Sequence, residues 1–516
     1  MKSYYLGVDV GTGSARCGVF DQHGKLVATA KYAITTTYPQ SGWAEQSTTE
    51  IWQAVCYSVR TAVTDAAIKP EQVAAIGFDA TCSLALSDTQ QQPLDLGGGR
   101  DVMVWMDQRA TAEARQCSAT AAEPLRYVGG TMSPEMQIPK LRWLKTHRPE
   151  LWAKMGAARD LSDWLTWRAS GDNARSVCTL TCKWGFMPHR TPSWDQDFLQ
   201  AMDLNDLIER AALPAQALPV GAPAGSLNAQ AANELGLSTH CVVAAGMIDA
   251  HAGAVLSFAC IDTAHYPHSL GLVAGTSNCH MAMHSVMQPV SGVWGPYQGV
   301  VFPQWWLNEG GQTTSGALLQ YLSDQLRGSD AYAPNVHERV STAILERLTA
   351  SGDPAPDLHI LPDLLGNRSP HAEPRYRGVI SGLSMNAPQE NFLQQYWAAA
   401  CAVAYGTRAI IERLNSADYA ITQLILTGGH AKSPLLIRLY ADACNCELLL
   451  PQSDEPVLLG AAMTAAAAHQ GDLAAACAAM KPDLTRHTPD TRFTALHEQR
   501  YQRFLTLYED YARTWQ

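Results

Sequence analysis

The stretch from Tyr4 to Ala30 restricts the fold more than any other part of the chain. An apolar run at residues 4–10 leads into the turn Gly11-Thr12-Gly13-Ser14, and a second β-rich run at residues 16–21 follows at once. Asp21-Gln22-His23-Gly24-Lys25 then turns the chain into Leu26-Val27-Ala28-Thr29-Ala30. Runs of this length between glycine-rich turns predict a strand meander. A glycine loop opening a helix would indicate a P-loop or a dinucleotide-binding unit, but here a strand follows the glycines. Neither GxGxxG nor GxxxxGK[ST] is present at this turn.

Downstream, Ser47 and Glu50 have the spacing of a capping box, and Ile51-Trp52-Gln53-Ala54-Val55 continues with helical apolar spacing, so a helix is expected from about residue 48. Residues 73–81 read as a buried strand, which makes the class α/β. Residues 269–284, SLGLVAGTSNCHMAMH, repeat the order of strand, Gly-Thr-Ser turn and strand, and so suggest an internal duplication. Late in the chain, residues 421–429 predict a strand ending in two glycines, with Ser433 as the cap and Pro434 as the first residue of a helix.

Composition narrows the function. The chain has 516 residues, enough for two to four domains at about 150 residues each. Its 47% apolar and 16% charged content supplies ample core. A net charge of -11 argues against nucleic acid and anionic membrane as partners. The apolar stretch before Asp9 is too short for a signal peptide, and the thirteen cysteines are too sparse for a disulfide scaffold, so a reduced, cytoplasmic setting is expected. Cys178 with Cys182, and Cys444 with Cys446, lack a Cys/His set at zinc spacing and read as thiols in packed elements. Two stretches approach membrane length, residues 241–260 and 457–480, but Asp249 and His251 interrupt the first, and His469 and Asp472 the second. Buried helices and strands explain both.

The two turns carry the chemistry. Hydroxyls of Thr12, Ser14, Thr276 and Ser277 can donate to phosphate oxygens, and consecutive backbone N–H groups can form an anion nest. The alternative for each is an ordinary hairpin turn. Asp9 ends the first run, where a carboxylate can help hold Mg2+ on a polyphosphate or simply initiate the turn. Asp249 falls where a strand gives way to a helix, at the positive end of the helix dipole, which favours its ionised form. It can serve as a general base toward an attacking hydroxyl or as a helix N-cap. His251 reads as a packed or capping histidine.

Taken together, Asp9 to Ser14, Trp105-Met106-Asp107-Gln108-Arg109-Ala110, Gly246-Met247-Ile248-Asp249, Ala274-Gly275-Thr276-Ser277, Glu309-Gly310-Gly311-Gln312 and Gly428-Gly429-His430-Ala431-Lys432-Ser433 resemble the FGGY carbohydrate kinases. The resemblance implies two ribonuclease-H-like domains of the actin-like ATPase superfamily, residues 1–262 and 263–516, with sugar and ATP in the cleft between them. It puts the catalytic base on Asp249. Gly11, Thr12, Gly13 and Ser14 fall on the first phosphate motif, Gly275, Thr276 and Ser277 on the second, Gly311 and Gln312 near the nucleotide, and Gly428, Gly429 and Lys432 on the adenosine motif. Asp9 would hold Mg2+; the second motif lacks an acidic residue and is assigned phosphate contact alone. Thr81-Cys82-Ser83-Leu84 resembles the D-ribulokinase branch, with Ala85 in place of the expected valine. That branch implies sugar contacts from Cys82, Ser83, Lys183 and Glu309, Lys183 being otherwise a surface lysine beside a strand. The loop from Gly366 to Pro370 matches the same branch without a physical role. Trp105, Trp305 and Trp306 can stack on a sugar or fill core, and Asp107 and Arg109 can bind sugar or pair with one another. The expectation is an ATP-dependent pentulose kinase, converting D-ribulose to D-ribulose 5-phosphate, with a homodimer as its candidate assembly. Its rivals are a kinase for ribitol, L-ribulose or D-xylulose, and a non-catalytic actin-like nucleotide-binding protein.

Overall fold

The computed structural model describes residues 3–327 and 335–514 and arranges them around two mixed seven-stranded sheets. The first contains β1 (Tyr4–Val10), β2 (Ser14–Asp21), β3 (Leu26–Ala33), β4 (Val73–Ala80), β5 (Pro223–Ser226), β6 (Val242–Ala244) and β7 (Met247–Ile248). Its order is β3-β2-β1-β4-β6-β5, with β7 also beside β4. β1, β2 and β3 form the expected antiparallel meander, and β4 then runs parallel to β1. The second sheet contains β8 (Ser269–Ala274), β9 (Asn278–His284), β10 (Trp294–Gln298), β11 (Trp306–Gln312), β12 (Gln423–Thr427), β13 (Glu447–Pro451) and β14 (Leu484–His487), in the order β10-β11-β9-β8-β12-β13-β14. Here β8 turns into antiparallel β9 and pairs in parallel with β12, the same arrangement as β1 with β2 and β4. The duplication suggested by the two turns is therefore present in the sheets. The fold is α/β in two domains.

β1 is buried on both faces because helices cover each side of its sheet. Leu6, Val8 and Val10 pack with Ile51, Val55, Val59 and Ala62 of α1 (Thr48–Asp65), which recur at helical spacing. The expected capping box does not form. Ser47 makes no side-chain cap bond, and Asp101 instead accepts from both the Thr48 N–H, at 2.8 Å, and the Thr48 hydroxyl. Glu50 is drawn away to the Thr35 N–H and to Arg100. The later helix start meets expectation: the Ser433 hydroxyl accepts from the Leu436 N–H, and Pro434 occupies the first position.

The opposite face of the first sheet is covered by a helix from late in the chain. α2 (Val177–Lys183) packs beside β7, and α3 (Asp249–Ala259) leaves β7 directly. α4 (Pro456–Gln470) lies across β1, β4 and α3. Close approach is possible because glycines stand at the contacts: a Cβ at Gly7 would collide with the Leu458 carbonyl, and one at Gly460 with the Ala252 carbonyl of α3. Since both obstacles are backbone, Gly460→Ala is expected to destabilise the protein by about 1–3 kcal/mol and to disturb the seating of α3. Urea denaturation checks this; an unchanged midpoint would contradict it. All thirteen cysteines are free, and among the described residues no helix is long and apolar enough to cross a membrane.

Candidate functional site

Three carboxylates meet at the carboxyl ends of parallel strands in the first sheet, the end at which open α/β sheets bind ligands. Asp9 on β1 lies in register with Asp79 on β4, and Asp79 in turn with Met247 on β7, two residues before Asp249. Asp9 is buried and pairs with Arg16, its cross-strand neighbour; Arg16 also reaches Glu455 Oε2 at 3.1 Å. Asp79 is fully buried, and neither of its carboxyl oxygens has a hydrogen-bond partner. Burial, followed by the charges of Asp9 and Asp249, pushes it well above the usual carboxylate range. The sequence reading passed over Asp79. Its one signal was an acidic residue ending an apolar strand, as Asp9 ends β1.

Asp249 is the first residue of α3, and its Oδ1 accepts from the Ala250 N–H at 2.7 Å. The helix start favours ionisation, as expected, but it is outweighed. The Ala250 bond and Lys183 do lower its pKa, but burial, and then Asp9 and Glu309, outweigh them and push it up to about 6. A carboxylate poised near neutrality is suited to taking and releasing a proton.

Lys183, Glu309 and Trp294 form the far wall. Lys183 ends α2 and is 3% exposed, so it is no surface lysine; its Nζ lies 4.3 Å from the centroid of the Trp294 ring. Burial lowers its pKa, yet Cys82 and Glu309 raise it further, and the net direction is upward, so the ammonium stays charged. Glu309 on β11 is 4% exposed, and its Oε2 has no hydrogen-bond partner. Cys82 borders the same space, with burial pushing its thiol up to about 12. Ser83 is committed elsewhere: its hydroxyl accepts from the Trp105 N–H at 3.1 Å and bonds Thr81 at 2.9 Å. Its contribution is to seat Trp105, whose indole N–H donates to Thr12 Oγ1 at 3.0 Å. Asp107 and Arg109 do pair, through bonds of 2.8 Å at both Nε and Nη2, beneath Trp43.

Each glycine turn joins the end of a sheet strand to the antiparallel strand beside it. The first is closed by the Gly11 N–H to the Ser14 carbonyl at 3.0 Å, the second by Gly275 N–H to Ser277 at 3.0 Å. The helix start at Ser315 and Gly316 donates back to Thr276 and Gly275 at 3.0 Å each, stapling the second turn in place. A Cβ at Gly13, Gly275 or Gly429 would touch nothing, and none of the three has a positive φ. Packing and backbone therefore do not require glycine there, whereas close approach of a ligand would. Gly428 differs: its φ is +86°, and a Cβ would collide with the Ala274 carbonyl, so glycine there lets the second turn lie against the end of β12. Gly429 and Lys432 line a cavity of about 830 Å³ together with Gln320, Asp324, His337 and Pro434. Gly311 and Gln312 lie lower. The Gln312 amide is spent on Asn278 at 2.8 Å and the Val403 carbonyl at 3.0 Å, and Arg368 covers Gly311. Their place is the packing beneath the cleft.

Arg368 gives the loop from Gly366 to Pro370 a physical role. Its Nη2 donates to both oxygens of Glu135 at 3.1 Å, across 233 positions of sequence, while its guanidinium lies 4.9 Å from the Trp294 ring centroid. Glu135 and Arg368 thereby tie the two halves together at the mouth of the site.

The comparisons agree with this arrangement. Residues 4–256 match the N-terminal domain of the FGGY family of carbohydrate kinases, and residues 270–469 its C-terminal domain. A human FGGY carbohydrate kinase domain-containing protein is 37% identical, over 98% of this chain and 96% of its own length. A D-ribulokinase of Saccharomyces cerevisiae is 35% identical, over 90% of this chain and 72% of its own. The crystal structure of a xylulose kinase from Rhodospirillum rubrum superposes with a TM-score of 0.82 over 99% of both chains at 20% identity, which speaks for the fold. With both halves of the chain matched and a relative 37% identical over nearly its whole length, the protein belongs to the FGGY carbohydrate kinases and is an ATP-dependent sugar kinase.

Proposed function

We propose that the enzyme phosphorylates a pentulose on its primary hydroxyl, D-ribulose to D-ribulose 5-phosphate, with Asp249 as general base. The observation that carries this reading is the placement of a carboxylate of pKa about 6 opposite the buried pair of Lys183 and Glu309. The ammonium suits a ketose carbonyl and Glu309 suits its hydroxyls, through charge-assisted bonds. Asp249 accepts the proton of the primary hydroxyl as its oxygen attacks the terminal phosphorus of ATP. In this reading residues 1–262 supply Asp249, Cys82 and Lys183 to the sugar pocket, while residues 263–516 add Glu309 to it and supply the adenosine side. Gly11 to Ser14 and Gly275 to Ser277 hold the phosphates from opposite walls, and Gly428, Gly429 and Lys432 border the adenosine cavity. The name of the yeast relative points to the same substrate.

The residues present also fit Mg2+. Asp9 and Asp79 stand side by side in register, and Asp79, which burial and its acidic neighbours hold protonated, would offer its oxygens on losing that proton to the ion's field, the donor type this ion takes. Bound there, it would neutralise charge on the phosphates. The acidic chain thus binds a polyanion through backbone N–H groups, hydroxyls and a cation.

Because Asp249 has to be ionised to act, kcat/KM for the sugar is expected to be level above pH 7 and to fall tenfold per pH unit below about 6. A rate profile flat to pH 5 would remove Asp249 from this role. Lys183→Met is expected to lower kcat/KM for D-ribulose about 10²-fold, mainly through KM, since a charged hydrogen bond contributes about 1.5–3 kcal/mol. Steady-state kinetics checks it, and an unchanged KM would place Lys183 away from the sugar. The substrate itself is tested by kcat/KM over D-ribulose, ribitol, L-ribulose and D-xylulose in a coupled ADP assay. A tenfold preference for any other member would overturn D-ribulose.

A further inference from the structure

Among the described residues, three donors of the softer type converge behind the sugar pocket. Cys178 and Cys182 stand one turn apart on α2, and His251 faces them from the first turn of α3. Their ligand atoms all lie within 4.8 Å of one another, and all three residues are fully buried. Cys182 Sγ is 3.4 Å from His251 Nε2, close to the edge of about 3.6 Å that tetrahedral zinc imposes on a sulfur and a nitrogen ligand. Glu309 stands beside this group of three: its Oε2 lies 3.8 Å from the same His251 nitrogen, has no hydrogen-bond partner, and would ligate by turning toward the two sulfurs. The sequence showed only an isolated Cys pair, because His251 and Glu309 arrive from distant elements.

We infer that Cys178, Cys182 and His251, with Glu309 as fourth ligand, form a site for a thiophilic divalent cation of the zinc and cadmium class that excludes the sugar when occupied. On binding, the two thiols each lose a proton to solvent. The ion then has two thiolates, the lone pair of a neutral imidazole and one carboxylate. Two positive charges against three negative ones leave a net charge of -1, which the neighbouring Lys183 ammonium balances. Occupancy draws Glu309 away from the sugar, so the metal inhibits. The exclusion rests on Glu309 as a sugar contact; the binding of metal does not.

The test titrates the metal-stripped, reduced full-length protein with Cd2+ and follows thiolate-to-cadmium charge-transfer absorbance in the ultraviolet. Wild type is expected to bind one equivalent at this site. Cys178→Ala and Cys182→Ala should each weaken it at least tenfold while keeping kcat within about twofold, and Cys182→Ser provides a second form should an alanine variant fold poorly. The acceptor sugar that the kinetic panel ranks first, at saturation and without ATP, should weaken Cd2+ binding at least tenfold. No band in wild type, or an undiminished band in the folded cysteine variants, would overturn the site. Equal Cd2+ affinity with and without sugar would overturn the exclusion. Since absorbance is read without turnover, a substrate other than D-ribulose would alter the kinetic panel and leave the titration intact.

Discussion

Replacing Asp249 by asparagine is expected to lower kcat about 10³-fold while KM for the sugar changes less than threefold, as measured by sugar-dependent ADP release. The substitution is nearly isosteric. Its amide oxygen can still accept from the Ala250 N–H, so the start of α3 and the shape of the pocket persist. What disappears is the group proposed to take the hydroxyl proton, and a positioned general base contributes about 10²–10⁴-fold. The same variant should gain stability at alkaline pH. Asp249 has its pKa raised in the folded protein, so the stability associated with its protonated form is present at low pH and is lost as pH rises through about 6. A neutral amide avoids that loss. D249N should therefore unfold at higher denaturant than wild type at pH 8 and near the same point at pH 4. Turnover near the wild-type rate would contradict the assignment.

The second large effect is expected at the bridge between the halves. Arg368→Met keeps most of the side-chain volume but leaves the Glu135 carboxylate without its bidentate partner, with Arg368 9% and Glu135 12% exposed. Removing one member of a buried pair costs about 3–5 kcal/mol, because the remaining charge has neither water nor a counter-ion. Arg368 is also attracted to Glu309 and covers Gly311, so the variant should loosen the sugar pocket and raise KM. Urea denaturation of R368M, E135Q and the double variant separates the pair from each residue alone. The double variant should recover about 2 kcal/mol relative to the sum of the single ones. Strict additivity would mean that the bridge couples nothing.

What the sequence revealed of this molecule was local. The strand and turn order at Gly11 and at Gly275, and the strand, glycine pair and capped helix at Gly428 to Pro434, could be read because neighbouring residues decide them. Features decided by residues distant in sequence could not. Asp79 looked like part of an apolar strand until its register beside Asp9 made it a member of an acidic cluster. Arg368 and Glu135 are 233 positions apart, and Lys183 meets Trp294 only once α2 and β10 are packed. Competition explains the failures. Asp101 takes the cap that Ser47 was expected to provide, burial outweighs the helix start at Asp249, and Asn278 and Val403 engage the Gln312 amide. Each is a contest between a local preference and a tertiary partner, and one chain read alone does not name the partner.

The central claim is that Asp249 directs phosphoryl transfer to the terminal hydroxyl of a pentulose. Phosphorus NMR of the product from D-ribulose and ATP tests it most directly. The expected result is one phosphomonoester on C5 for each ADP formed by the wild-type protein, and none from D249N over the same interval. A phosphate on another carbon, ADP formed without a sugar ester, or the same C5 ester produced as rapidly by D249N would contradict it.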